Sequence, residues 1–157
     1  MLPKHKKDKL LSYGQKVIEI ECVNLQYLRE KLGESFADAV ELLYLCKGKV
    51  IVTGIGKSGI IGRKIAATLA STGTPSIFMH PGEAVHGDLG MVARNDIVIV
   101  ISNSGQTEEI IRILPSIKKI GARIISFTCS PLSCIGIQSD ITIATGEIQE
   151  ADSFGII

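Results

Sequence analysis

Apolar positions along this chain change their period once. Between residues 9 and 32 they recur at Leu11, Ile18, Leu25 and Leu32, a seven-residue spacing that sets them on one stripe of a long amphipathic helix ended by Gly33. A second helix, from about residue 35 to 46, puts Phe36, Ala39, Val40 and Leu43 on one face, with Ser35 as its expected N-cap. From Lys49 the period shortens. KVIVTG, PSIFMH, DIVIVISNSG and ARIISFTCS are short, rich in β-branched residues and separated by stretches of helical spacing at 58–71 and 107–119, and DITIATG adds a fifth run. Such runs, too far apart for hairpins, predict βαβ units. The expected fold is α/β: a doubly wound, mainly parallel five-stranded sheet flanked by helices, with N-terminal helices (9–46) ahead of an α/β core (49–157) in one domain. The long first helix is expected either to pack on a partner subunit or to cover the sheet's own face.

Composition narrows the classes. The chain has 157 residues, 45% hydrophobic and 21% charged, which suits a globular domain. A net charge of +1 gives no reason to expect nucleic acid, and no helix-turn-helix pattern is evident. Cys22, Cys46, Cys129 and Cys134 lack C-x-x-C spacing, so reduced thiols are expected in place of a disulfide framework or zinc cluster. The basic start MLPKHKKDK is followed by no long apolar region, and no run approaches the ~18 residues that span a bilayer. A cytoplasmic setting without membrane contact is the expectation.

In a parallel α/β sheet, ligands bind where strand carboxyl ends meet helix N-termini, so the segments just after the strands carry the chemistry. The stretch IVTGIGKSGIIGRK, at 51–64, contains Gly54, Gly56 and Gly59 as G-x-G-x-x-G and Gly56, Lys57 and Ser58 as the end of a P-loop. The P-loop's leading glycine is replaced by Ile51, and no carboxylate stands at the end of the second strand to hold a ribose. Neither a nucleoside triphosphate nor a dinucleotide fits. What remains is a glycine turn at a helix N-terminus with Lys57 and Ser58 beside it, a general anion device. The run SNSGQTEE, at 102–109, adds Ser102, Ser104 and Thr107 around Gly105, a neutral donor cradle suited to a terminal phosphate; helix capping accounts for one of those hydroxyls and not three.

Taken in order and spacing, GIGKSG, STGTP, HPGEAVHGDLGM and SNSGQTEE resemble the sugar isomerase (SIS) domain family, and within it the arabinose-5-phosphate isomerases. The resemblance implies a flavodoxin-like SIS fold and conversion of ribulose 5-phosphate to arabinose 5-phosphate in the route to 3-deoxy-manno-octulosonate, a lipopolysaccharide sugar. Residue by residue, it implies that Lys57, Glu109 and Glu150 are catalytically important. It further implies that Gly73, Thr74, His80 and His86 contact substrate, with Gly56, Ser58, Ser102, Asn103, Ser104 and Thr107 forming the surrounding loops. It requires no cofactor but implies an inhibitory zinc at His80 in some members; His86 and Asp88 are possible further ligands on chemical grounds.

Isomerisation through an enediol moves a proton between C1 and C2, which calls for a carboxylate with its pKa raised by burial and for polar groups to stabilise the oxyanion. Glu109 and Glu150 suit the first task, and Lys57 and the histidines the second, with one of the histidines also suited to help open the sugar ring. Homotetramers, in which subunits complete each other's sites, are implied as well. The family has cysteine where this chain has Asp152, and its threonine- and serine-rich segment, a final helix, a further histidine and paired CBS domains would all lie beyond Ile157. A non-catalytic SIS module that binds a sugar phosphate or sugar nucleotide, or another SIS phosphosugar isomerase such as phosphoheptose isomerase, are the alternatives.

Overall fold

The structure, a computed structural model, describes residues 2–151; the Asp152 substitution and the terminal FGII lie outside the described residues. Two compact units are formed: residues 33–145, and helix α1 (Lys4–Lys31) together with the segment that starts at Gly146. The larger unit begins with α2 (Glu34–Tyr44) and continues β1 (Val50–Gly54), α3 (Gly56–Ser71), β2 (Ser76–Phe78), α4 (Pro81–Val85), β3 (Ile97–Ile101), α5 (Glu108–Ile120), β4 (Arg123–Thr128) and β5 (Ile141–Ala144). Short 3-10 turns stand at Asp88–Met91 and Gly136–Gln138. All five strands are parallel, in the order β2-β1-β3-β4-β5. The doubly wound expectation holds. The expected cap at Ser35 does not: Gly33 occupies the N-cap of α2 and no side chain caps it, because the helix begins at Glu34, two residues earlier than a cap at Ser35 would allow.

Strand side chains alternate between two apolar layers. Ile51, Val98, Val100 and Ile124 face Ile110, Ile113, Leu114 and Ile117 of α5, with Ala84 of α4 in the same layer. Val50, Val52, Ile97, Ile99, Ile125 and Ile143 face Ala39 of α2 and Ala66 of α3. The α5 positions follow i, i+3, i+4, i+7 and are all buried, the signature of a helix folded onto a sheet. At the amino ends of the strands an aspartate standing just before a strand pins its neighbour. Asp96, 2% exposed, accepts the Lys49 N–H at 2.9 Å, the Ala93 N–H at 2.8 Å and the Lys49 ammonium at 2.7 Å. Asp140 does the same for β4, accepting the Ile124 N–H at 2.7 Å and pairing with Arg123 at 2.9 Å.

Within the smaller unit, α1 runs 28 residues. The stripe read from the sequence, Leu11, Ile18, Leu25 and Leu32, is exposed along its whole length. The half-buried positions of α1 are instead Val17, Ile20, Asn24, Tyr27 and Leu28, roughly 120° round the helix at about 100° per residue. Gly146 turns the chain onto that side with φ +72°, and a Cβ there would stand 2.7 Å from the Tyr27 hydroxyl. Among the described residues no helix is long and apolar enough to cross a membrane.

Candidate functional site

The strand order reverses between β1 and β3, whose following helices α3 and α5 pack on opposite faces. In such a sheet ligands bind at that reversal, on the carboxyl edge between the two loops. On the β1 side the three glycines divide their work. A Cβ on Gly54 would lie 3.0 Å from the Ser58 backbone, and one on Gly59 would lie 2.7 Å from the Gly54 carbonyl oxygen, so both are needed for helix and strand to touch. Gly56 differs: its φ is +57° and open space surrounds it. Its neighbour Ile55 is the N-cap of α3 and supplies no side-chain cap, so the first N–H groups of this 16-residue helix are left for a ligand or solvent. Lys57 is exposed and makes no hydrogen bond or ion pair among the described residues; Ser58 is half-buried beside it.

The β3 loop is organised differently from the three-hydroxyl cradle expected. Ser102 is only 3% exposed, and its Oγ pairs with Thr107 Oγ1 at 2.8 Å while accepting the Gly105 N–H at 3.2 Å. Its hydroxyl is spent inside the loop. Ser104, exposed, accepts the Gln106 N–H at 3.2 Å and keeps its own O–H available outward. The loop's carbonyls are tied toward β4: Asn103 O accepts the Cys129 N–H at 2.8 Å and the Thr128 hydroxyl at 3.2 Å, and Gly105 O accepts the Ile135 N–H at 3.0 Å. Because a trans peptide points its C=O and N–H in opposite directions, the N–H of Ser104 is turned away from β4. The Gly105 and Gln106 N–H groups are donated within the loop, so what it turns outward is the N–H and hydroxyl of Ser104, while Ser102 and Thr107 brace the turn. Thr128 and Ser133, which close around Gly105, were not legible as part of this device, since their contact crosses from β4 and its following loop.

His80 follows β2, the third strand on the same edge, so Lys57, His80 and the 102–107 loop lie on consecutive strands spanning about 10 Å. His80 is also the N-cap of α4, its Nδ1 accepting the Gly82 N–H at 3.2 Å. A neutral ring with Nδ1 as acceptor carries its proton on Nε2 and offers it as a donor. Zinc bound through Nε2 would shift that proton to Nδ1 and break the cap. Nor are three ligands gathered: among the described residues no group of three His, Cys, Asp or Glu is placed to hold a metal, so the trio His80, His86 and Asp88 is not assembled in this chain. His86 and Asp88 are exposed at the end of α4 and the turn beyond it.

Gly73 and Thr74 lie elsewhere. They stand between α3 and the start of β2, where Pro75 O accepts the Val50 N–H at 2.8 Å, which puts them on the amino edge of the sheet, opposite the loops after β1 and β3. Glu109 occupies the first turn of α5, exposed and without a partner among the described residues, while Glu108 beside it pairs with Arg112 at 3.2 Å. Glu150 belongs to the smaller unit, exposed next to α1. Neither carboxylate has the burial within its own unit that a tuned base was expected to have.

Comparison with known proteins fits this arrangement. The chain is 47% identical over 138 residues to arabinose 5-phosphate isomerase KdsD of Pseudomonas aeruginosa, covering 88% of this chain and 42% of that protein. It is 47% identical over 143 residues to KdsD of Escherichia coli (strain K12), covering 91% of this chain and 44% of that protein. It therefore spans less than half the length of these curated relatives. A solved structure of an Escherichia coli CFT073 protein in complex with arabinose 5-phosphate superposes with a TM-score of 0.89 at 45% identity, covering 99% of this chain and 81% of that one. The SIS domain family model matches residues 42–157, the greater part of the chain and the whole of the described sheet, and the chain belongs to the SIS domain family.

Proposed function

We propose that the protein interconverts D-ribulose 5-phosphate and D-arabinose 5-phosphate through an enediol. The observation that carries this reading is the pair of loops that flank the strand-order reversal, one holding Lys57 at the open N-terminus of α3 and the other presenting the N–H and hydroxyl of Ser104. The names of the 47% identical relatives and the arabinose 5-phosphate complex of the 45% identical structure support this substrate among phosphosugars. The phosphate sits on the 102–107 loop, remote from the reacting carbons, and orients them. A carboxylate removes the proton from C2 of the aldose and returns it to C1, while O1 gains a proton as the enediol forms and O2 gives one up as the ketone forms, so the hydroxyl proton moves from O2 to O1 in the same sense. Glu109 and Glu150 share these transfers. Lys57 and the Nε2–H of His80 stabilise the oxyanion, and His86 assists ring opening. Gly73 and Thr74, on the far edge of the sheet, reach substrate only in another copy's site, which accords with a homotetramer. The product then feeds 3-deoxy-manno-octulosonate synthesis in the cytoplasm.

Incubating the intact protein with ribulose 5-phosphate and a chelator, with the aldose assayed directly, tests the reaction. In deuterium oxide the product gains deuterium at C2 if an enediol forms. Glu109→Gln lowers kcat by about 10²–10⁴-fold with KM little changed. Tight binding of the sugar phosphate without conversion would instead mark a sensing module.

A further inference from the structure

We propose that Asn24 is a positioning residue for Glu150, so that helix α1 carries part of the catalytic apparatus; this rests on the reading of Glu150 as a reacting carboxylate. The side-chain amide of Asn24 faces the backbone of Gln149 in a two-point clamp. Its Nδ2–H donates to Gln149 O at 2.8 Å and its Oδ1 accepts the Gln149 N–H at 3.2 Å, across 125 residues of sequence. This is the donor and acceptor pair that a neighbouring β-strand supplies to a residue, here supplied by one side chain. The segment from Gly146 has no strand beside it among the described residues and is mostly exposed.

The clamped carbonyl belongs to the peptide that joins Gln149 to Glu150. Because that peptide is planar, fixing its C=O fixes the direction in which the Glu150 Cα leaves. The rest of the side of α1 that carries Asn24 sets the path. Tyr27 lies against Gly146, and Tyr13, Lys16, Val17 and Ile20 line a hollow of about 170 Å³ whose other wall is Gln149, Glu150 and Ala151. Spacing of three and four residues from Tyr13 to Tyr27 keeps these contacts on one side of the helix. Asparagine is the residue this clamp needs: leucine offers neither bond, aspartate keeps the acceptor and loses the donor, and glutamine is one methylene too long.

The test is a double-mutant cycle on the intact protein. Asn24→Leu is expected to lower kcat by about tenfold or more while KM stays within about threefold, since a small displacement of a reacting group falls on turnover. In the Glu150→Gln background the same change is expected to cost less than about twofold, because the carboxylate it positions is already gone. Asn24→Asp, unable to donate to the Gln149 carbonyl, shows the same pattern with a smaller loss and serves if the leucine variant fails to fold. Unchanged kcat in both Asn24 variants, or a loss that multiplies in full with Glu150→Gln, overturns the positioning role. Normal turnover by Glu150→Gln removes the reading of Glu150 and this inference with it, whereas an impaired Glu150→Gln beside normal Asn24 variants removes the inference alone.

Discussion

Gly105 holds the left-handed conformation at φ +63°, and a Cβ placed there would crowd Ser133 and stand 2.6 Å from Thr128 Oγ1. Two costs meet at this residue: the backbone strain of a left-handed alanine and the displacement of the hydroxyls that tie the loop to β4. Gly105→Ala is therefore expected to destabilise the protein by about 2–4 kcal/mol and to raise KM for the phosphosugar more than it lowers kcat. Denaturant titration and steady-state kinetics check the two parts, and an unchanged KM would remove the loop from ligand binding. At this scale the sequence placed both loops just after strands, where the fold has them, but not the tasks within them. G-x-G-x-x-G announced a close turn, yet which glycine touches backbone and which stands open depends on how α3 packs on β1. Ser102 was legible as a hydroxyl in the loop after β3, while its burial follows from the pairing of β3 with β4.

At the level of elements, the two D-I-x-I starts, Asp96 before β3 and Asp140 before β5, repeat one device: a carboxylate that closes the amino end of the adjacent strand. For Asp96, burial by itself would raise the carboxyl pKa, and the Lys49 ammonium and N–H together with the Ala93 N–H more than offset it, so it titrates below the ordinary carboxylate value. A group lowered in the folded state adds stability above its unfolded pKa of about 3.9 and loses it as pH falls toward the folded value. Asp96→Asn is expected to cost about 2–4 kcal/mol at neutral pH, since N–H groups lose an ionic acceptor. Its stability should also fall less steeply than that of the parent below pH about 4, as urea midpoints across an acid series will show. An equally steep acid limb in the variant would place the titrating group elsewhere. The strand runs and α5 were legible because their apolar periods match a sheet layer and a helix face. The second side of α1 was not, since Asn24 and Tyr27 gain their meaning only from the segment that Gly146 turns toward them.

For the whole molecule, Leu11, Ile18, Leu25 and Leu32 remain 67%, 65%, 65% and 45% exposed, an apolar stripe at the heptad spacing that helices use to pair. The proposed tetramer would cover it. Replacing Ile18 and Leu25 together by glutamate is expected to yield a smaller species by light scattering after size exclusion, and an unchanged mass would place the subunit contact elsewhere. The overall topology was legible because parallel strands alternate with helices in only a few ways, and the order helix 58–71 then strand PSIFMH already sets Gly73 and Thr74 on the opposite sheet edge from Lys57, at odds with their implied place beside the substrate in one copy. The Lys49–Asp96 lock has one more consequence, in the order of events during folding. It joins residues 47 apart, at the amino ends of the two paired strands between which the strand order reverses. Closing so long a loop is slow compared with forming α3 or α5, so the β1–β3 pairing on which the proposed site depends is expected to arise late, and a phosphosugar added during refolding, if bound as proposed, should raise the stability of the finished protein without hastening its formation.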